Sequence, residues 1–182
     1  MSKSVLIISA SPRQGGNSDT LCDQFAKGAK EAGNEAEKLR LSDLHIEYCS
    51  ACYACKKIGH CVKQDDMEYV LDKMRAANVI VLATPVYFYT MNAQLKTMID
   101  RTLGGAQKPG LENKEFCLIA TAADGRKAME RTIDGIRGYL ECLPGSKERG
   151  VIYGAGAWQI GDILENPAMQ EGVSQSLCKP SN

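Results

Sequence analysis

The 182-residue sequence has no excess of charge of either sign, because 22 basic side chains are balanced by 22 acidic ones. Binding to nucleic acid or to an anionic membrane needs concentrated positive charge, so neither is expected as a partner. Long hydrophobic runs are also missing. The stretch Val5-Leu6-Ile7-Ile8 is too short for a signal-peptide core or a membrane span, and it stops at a Ser-Pro turn. The expectation is a soluble, cytoplasmic protein. Several phosphate-handling signatures are absent as well. There is no Gly-Lys-Ser/Thr of a Walker loop, no Gly-x-Gly-x-x-Gly, no cysteine in the first loop to act as a phosphatase nucleophile, and no acidic pair beside the first strand to hold Mg²⁺.

Cysteine, by contrast, is plentiful. Eight are present, although cytoplasmic thiols stay reduced and rarely form disulfides. Cys22, Cys117, Cys142 and Cys178 are scattered and read as small buried hydrophobes. Cys49, Cys52, Cys55 and Cys61 instead fall within thirteen residues.

Periodicity organises the rest of the chain. Apolar runs at Val5–Ser9, Val79–Ala83, Phe116–Thr121 and Gly150–Tyr153 predict buried strands, and Glu35–Leu41 predicts a strand near a sheet edge. Helical spacing of apolar residues predicts helices over Ser18–Ala32, from Met67 through Met74, over Asn92–Leu103 and over Ala128–Leu140. Asp65-Asp66 suits a helix N-cap. The tail from Gly161 suggests one short helix at most. Residues 42–64 show no period, and an irregular stretch of that length usually has a function. Strands alternating with helices imply an α/β fold: a flavodoxin-like, doubly wound, five-stranded parallel sheet with helices on both faces. Residues 1–182 read as one domain, with 42–64 a cysteine-rich loop insertion. Ligands of such sheets bind beyond the carboxyl ends of the strands. That rule singles out residues 9–18, 84–91 and 121–126.

The first of these loops reads Ser9-Ala10-Ser11-Pro12-Arg13-Gln14-Gly15-Gly16-Asn17-Ser18. Small residues before a helix N-terminus let backbone N–H groups converge on an anion. Ser11, Asn17 and Ser18 add side-chain donors, and Arg13 adds a charge-assisted bond. A phosphate monoester is the expected guest. In the second loop, Tyr87-Phe88-Tyr89 follows Pro85 and supplies apolar surface on which a flat ring can stack. Together the two loops favour a flavin mononucleotide, FMN.

These residues, with Leu95-Lys96-x-x-x-Asp100-Arg101 and Gly156-Ala157-Trp158, resemble the NAD(P)H-dependent FMN reductase branch of the flavodoxin-like superfamily. The resemblance implies that Ser11, Arg13, Asn17 and Ser18 hold the FMN phosphate. Pro85, Val86, Tyr87 and Phe88 would line the isoalloxazine, and Thr121 to Asp124 would form a third flavin-facing loop. It further implies NAD(P)H as co-substrate, a small-molecule electron acceptor or redox protein as partner, and a homodimer or homotetramer with flavin sites near a subunit interface. No catalytic acid or base is required, since the flavin carries the chemistry.

Cys49-x2-Cys52-x2-Cys55-x5-Cys61 leaves three readings open. Four close thiolates can wrap a 4Fe–4S cluster, and the spacing is like the compact motif of iron–sulfur flavoproteins, a subgroup of the same family. Zinc is a second metal that Cys₄ sets hold, although a structural site usually draws its two Cys pairs from farther apart. The third reading is four free or reversibly oxidised thiols shaping a rim, with Lys56, Lys57 and His60 favouring thiolate. Three function classes follow: an FMN reductase, an iron–sulfur electron carrier, and a binding module without redox turnover. Asp100 and Arg101 read as a structural ion pair at a helix end or interface, His45 as a surface residue, and Trp158 as a core residue, with cover for a neighbouring subunit's flavin as the alternative.

Overall fold

Strands that are apolar on both sides need cover on both faces, and this chain builds that arrangement. The computed structural model describes residues 2–105 and 109–165. In chain order the elements are β1 (Ser4–Ser9), α1 (Asn17–Glu31), β2 (Glu35–Arg40), α2 (Ala54–Ile58), α3 (Met67–Ala76), β3 (Val79–Tyr87), β4 (Thr90–Met91), α4 (Ala93–Arg101), β5 (Glu115–Thr121), α5 (Glu130–Glu141), β6 (Lys147–Gly154) and α6 (Asp162–Glu165). Five strands run parallel in the order β2-β1-β3-β5-β6, the doubly wound flavodoxin-like pattern.

Alternation along each strand divides the core into two layers. Leu6 and Ile8 of β1, Ile80 and Leu82 of β3, and Phe116 and Leu118 of β5 face the layer covered by α3, α4 and α5. Val5 and Ile7, Val79 and Val81, and Cys117 and Ile119 face the layer covered by α1 and α6. Cys22 and Cys117 are buried there as small apolar residues, whereas Cys142 is exposed; Cys178 lies outside the described residues.

The departures from the expected elements have local causes. β3 continues past Ala83 to Tyr87 because Thr84 and Pro85 still pair with β5, and Val86 and Tyr87 then pair antiparallel with β4. A two-residue turn at Phe88-Tyr89 closes this hairpin, with φ of 51° and 63°. β4 is therefore a sixth, antiparallel strand at the end of a parallel sheet. β6 begins at Lys147 rather than Gly150, and a bulge opposite Phe116–Cys117 interrupts its register with β5. Within residues 42–64 the regular structure is the end of a 3₁₀ turn, Leu41–Asp43, and the short α2. The short helix expected after Gly161 is α6; the rest of that tail lies outside the described residues.

Leu82 is fully buried in the central strand, under α3, α4 and α5. Leu82→Ala should cost about 2–5 kcal/mol of stability, by lost burial and the cavity left behind. Urea denaturation followed by circular dichroism measures this, and a loss under about 1 kcal/mol would place Leu82 outside a packed core.

Candidate functional site

All five parallel strands point the same way, so the loops that follow them collect at one edge of the sheet. At that edge lies a cleft of about 350 Å³. Ser11, Arg13, Asn17 and Ser18 form one wall, Pro85, Val86, Tyr87 and Phe88 a second, and Thr121 a third. Asp124, expected on the third loop, does not line the cleft; its carbonyl accepts the Gly156 N–H at 3.1 Å.

The first loop is built to leave donors free. Gly16 is the N-cap of α1, and no side chain bonds the first-turn N–H groups. Ser11 Oγ donates to Arg13 O at 2.9 Å and accepts from Arg13 N at 3.2 Å, which closes a tight turn. A Cβ on Gly16 would come within 3.0 Å of both Ser11 Oγ and Arg13 Cβ, so only glycine leaves this cradle its shape. Underneath, buried Asp19 accepts the Gly15 N–H at 3.0 Å and the Ser9 hydroxyl at 2.8 Å. Burial raises the Asp19 pKa, but Ser9, Gly15 and Lys38 outweigh it and the net shift is downward. These features match a phosphate monoester bound through backbone N–H groups and the helix dipole.

Asn17 sits at this wall in a different capacity. Its amide donates to Gln159 O at 2.8 Å and accepts from Ile163 N at 3.3 Å, which docks the segment after β6 onto the first loop. Arg13 reaches the same segment, with its guanidinium 3.5 Å from Trp158 O. The segment supplies a fourth wall, Ala157 and Trp158, from the Gly156-Ala157-Trp158 stretch. The rule that ligands sit beyond strand carboxyl ends applies to β6 as much as to β1, and Gly154 and Gly156 mark the turn. Trp158, expected in the core, is 68% exposed, because its loop lies over the edge of the sheet rather than under it.

The second wall is a strained hairpin. Phe88 and Tyr89 both occupy left-handed backbone, which costs roughly 1–2 kcal/mol per non-glycine residue. Phe88 is 100% exposed and so lines the cleft at its mouth, while Tyr87 is partly exposed. Asn92 fixes this wall to the first. Buried at the N-cap of α4, it donates to Ala10 O at 2.5 Å and accepts from the Thr84 hydroxyl at 3.1 Å and Leu95 N at 3.3 Å.

A second cavity, of about 300 Å³, is ringed by all four clustered cysteines. Asp100, Arg101, Leu103 and Gly104 close its other side. Ala51 and Tyr53 take left-handed backbone and fold the loop tightly around the cavity. A Cβ at Gly104 would lie 3.1 Å from Cys61 Cβ, so a larger residue there would push Cys61 away. None of the four is in a disulfide. The Ala51 N–H lies 3.5 Å from Cys49 Sγ, and the Cys52 pKa is lowered, chiefly by the Ala54 N–H and then by Ser50. Backbone N–H groups and the Ser50 hydroxyl thus favour the Cys52 thiolate, with the Lys63 charge adding to them, while Lys56 stacks on Tyr53 and His60 Nδ1 is bonded to Cys61 O. Among the described residues no three His, Cys, Asp or Glu side chains converge to hold one metal ion. Thiols spread around a cavity suit a multinuclear cluster better than a single tetrahedral zinc, which needs its sulfurs near 2.3 Å from one point.

Beside this cavity is the ion pair that the sequence misassigns. Arg101 pairs with Asp65, at 2.6 and 2.9 Å, and not with Asp100, which pairs with Lys96. The two side chains are 1% and 0% exposed. Asp66 is the N-cap of α3, as the acidic pair suggests, and its carboxylate accepts the His45 N–H at 2.7 Å, while Asp65 accepts N–H groups from Glu47 and from Met67 at the start of the helix. Burial opposes ionisation of Asp65, but Arg101 and the two N–H groups outweigh it and hold its pKa at about 2. Burial likewise works against the Arg101 charge, and Asp65, with Cys61 alongside, raises its pKa nonetheless. His45 is exposed, as expected.

Residues 4–143 match the family described as NADPH-dependent FMN reductase. An iron-sulfur flavoprotein of Methanosarcina thermophila is 33% identical over 91% of this chain and 84% of its own length. Another, from Archaeoglobus fulgidus, is 37% identical over 73% of this chain and 58% of its own length. Among solved structures, an azoreductase from Bacillus anthracis superposes with a TM-score of 0.70 at 19% identity, covering 96% of this chain and 98% of that one, a likeness of fold.

Asp65 is held below its ordinary value of 3.8, so its contribution to stability is complete above about pH 4 and is lost as pH falls toward 2. Urea midpoints measured over that range should drop, and Asp65→Asn should flatten the drop. Equal slopes in the two proteins would assign the acid sensitivity to other carboxylates.

Proposed function

Since the chain belongs to the NADPH-dependent FMN reductase family, we propose that it passes reducing equivalents from NAD(P)H through FMN, held in the 350 Å³ cleft, to a small acceptor such as a flavin or quinone, or to a redox protein. The observation that carries this reading is the cleft itself: an uncapped helix N-terminus, a glycine cradle and a stacking wall meet at one sheet edge. FMN, when bound, supplies hydride and single-electron chemistry. The chain's own residues do the rest. Ser11, Ser18, the N–H groups of the α1 first turn and Arg13 bind the phosphate. Asn17 contributes by anchoring the Trp158 segment beside it. Pro85, Val86 and Tyr87 flank the ring on one side, and Thr121, Ala122 and Trp158 close the other. No side chain is assigned as an acid or base.

The ring of cysteines favours a second cofactor on the same chain. Cys49, Cys52, Cys55 and Cys61 surround a cavity without converging on a point, and backbone N–H groups face Cys49 and Cys52. That donor set fits a 4Fe–4S cluster, which would supply single-electron transfer. The names of the relatives from Methanosarcina thermophila and Archaeoglobus fulgidus support this reading. Free thiols in such a ring suit a reducing cytoplasm, and among the described residues no helix is long and apolar enough to cross a membrane. The exposed rings of Phe88, Tyr89 and Trp158 at the cleft mouth favour a homodimer or homotetramer in which a second copy covers them.

Arg13→Ala should weaken FMN binding by about 1.5–3 kcal/mol, the scale of a charged hydrogen bond, as read by quenching of flavin fluorescence. Unchanged affinity would remove Arg13 from the phosphate site. Cys52→Ser should abolish bound iron in anaerobically purified protein and leave the resolved flavin bands in place. Full iron retention would exclude Cys52 as a ligand.

A further inference from the structure

The cysteine loop holds little structure of its own. Between Asp43 and Gln64 its regular element is the five-residue α2, and the loop is closed chiefly where its two ends meet. At this neck the Asp66 N–H donates to His45 O at 3.0 Å, and the His45 N–H donates to Asp66 Oδ2 at 2.7 Å. Across the same neck Lys63 pairs with the Glu47 carboxylate and lies 5.5 Å from the Tyr48 ring centre, and one buried residue pair holds the Glu47 backbone. Asp65 Oδ2 accepts the Glu47 N–H at 3.0 Å, and Arg101 Nη1 donates to Glu47 O at 2.6 Å. Both backbone groups of Glu47, two residues before Cys49, are thus held by a single buried ion pair. The same guanidinium reaches Cys61 on the other side of the loop. Its Nε–H has no acceptor among the described residues, and Arg101 lines the cysteine cavity.

We propose that Arg101, locked by Asp65, is the positioning residue of the cysteine loop: it clamps the neck and presents Cys49 and Cys61 to the cavity before any cluster enters. The iron arm of the test rests on the cluster reading above; the clamp itself does not. Stability alone does not account for this pair, since well-packed apolar residues often replace a buried ion pair without loss. An apolar pair, however, has nothing to offer both the N–H and the C=O of Glu47. Lysine has nothing equivalent either, because it lacks the planar fork that contacts Asp65 and Glu47 together.

The test compares Arg101→Gln and Arg101→Lys with the parent protein, each with FMN bound. Amide hydrogen exchange at His45 and Glu47 in the iron-free protein reads the clamp. Iron per chain after anaerobic reconstitution with ferrous iron and sulfide reads presentation of the thiols. Retained FMN and unchanged exchange in the β1 and β3 amides report an intact fold. The expected result is exchange at His45 and Glu47 faster by about tenfold or more, which corresponds to ~1.4 kcal/mol of lost closure. Iron uptake should fall in both variants, with lysine failing to restore it although it keeps the charge. Parent-like exchange in Arg101→Gln would overturn the proposal. So would Arg101→Lys with parent-like exchange and iron, which would reduce Arg101 to a buried charge. If glutamine loses FMN as well, the lysine variant decides between these outcomes. If the parent protein itself binds no iron, the cluster reading fails, and the exchange rates still decide the clamp.

Discussion

The cleft at the sheet edge depends on the parallel direction of the strands. Parallel pairing needs a helix to return the chain after each strand, so each carboxyl end opens into a loop on the same edge of the sheet. The register of β1 with β3 and of β3 with β5 brings Ser9, Ala83 and Ile119 level there. Loops 10–18, 84–91, 121–124 and 155–161 therefore meet without contacts designed to bring them together. What the loops add is fixation: Asn92 joins the first to the second, and Asn17 joins the first to the last.

The cysteine loop follows a different logic. It lies beyond β2 at the edge of the sheet, and no strand sets its position. A segment of this kind needs attachment points that resist water, which explains why its anchor is an ion pair with almost no exposure instead of a surface bridge. The costs of burying both charges are offset by full use of the carboxylate: Asp65 takes four donors, two from Arg101 and one each from Glu47 and Met67.

Much of this was legible in the sequence, for identifiable reasons. Local periodicity revealed the parallel strands and the long helices, because apolar runs and 3.6-residue spacing are properties of neighbouring residues. The Ser-Pro-Arg loop and the Cys-x2-Cys-x2-Cys run were legible because their chemistry is contiguous. The partner of Arg101 was not, because Asp65 is 36 residues away and Asp100 is adjacent. Trp158 was misplaced because composition favours burying tryptophan, while a loop at the sheet edge leaves it outside. β4 and the bulge in β6 stayed hidden, since two-residue pairings and register shifts leave no period to detect.

Helix α4 ties the two sites together. Asn92 at its N-terminus grips two walls of the sheet-edge cleft, and Arg101, its last residue, grips the cysteine loop. Nine residues separate them, about 13 Å of helix. Inserting or deleting one residue in that span would turn Arg101 by about 100° relative to Asn92, because a helix advances 3.6 residues per turn. One end would then lose its contacts whichever end stayed in place. The length of α4 is therefore constrained by both sites at once, and the helix acts as a ruler between them.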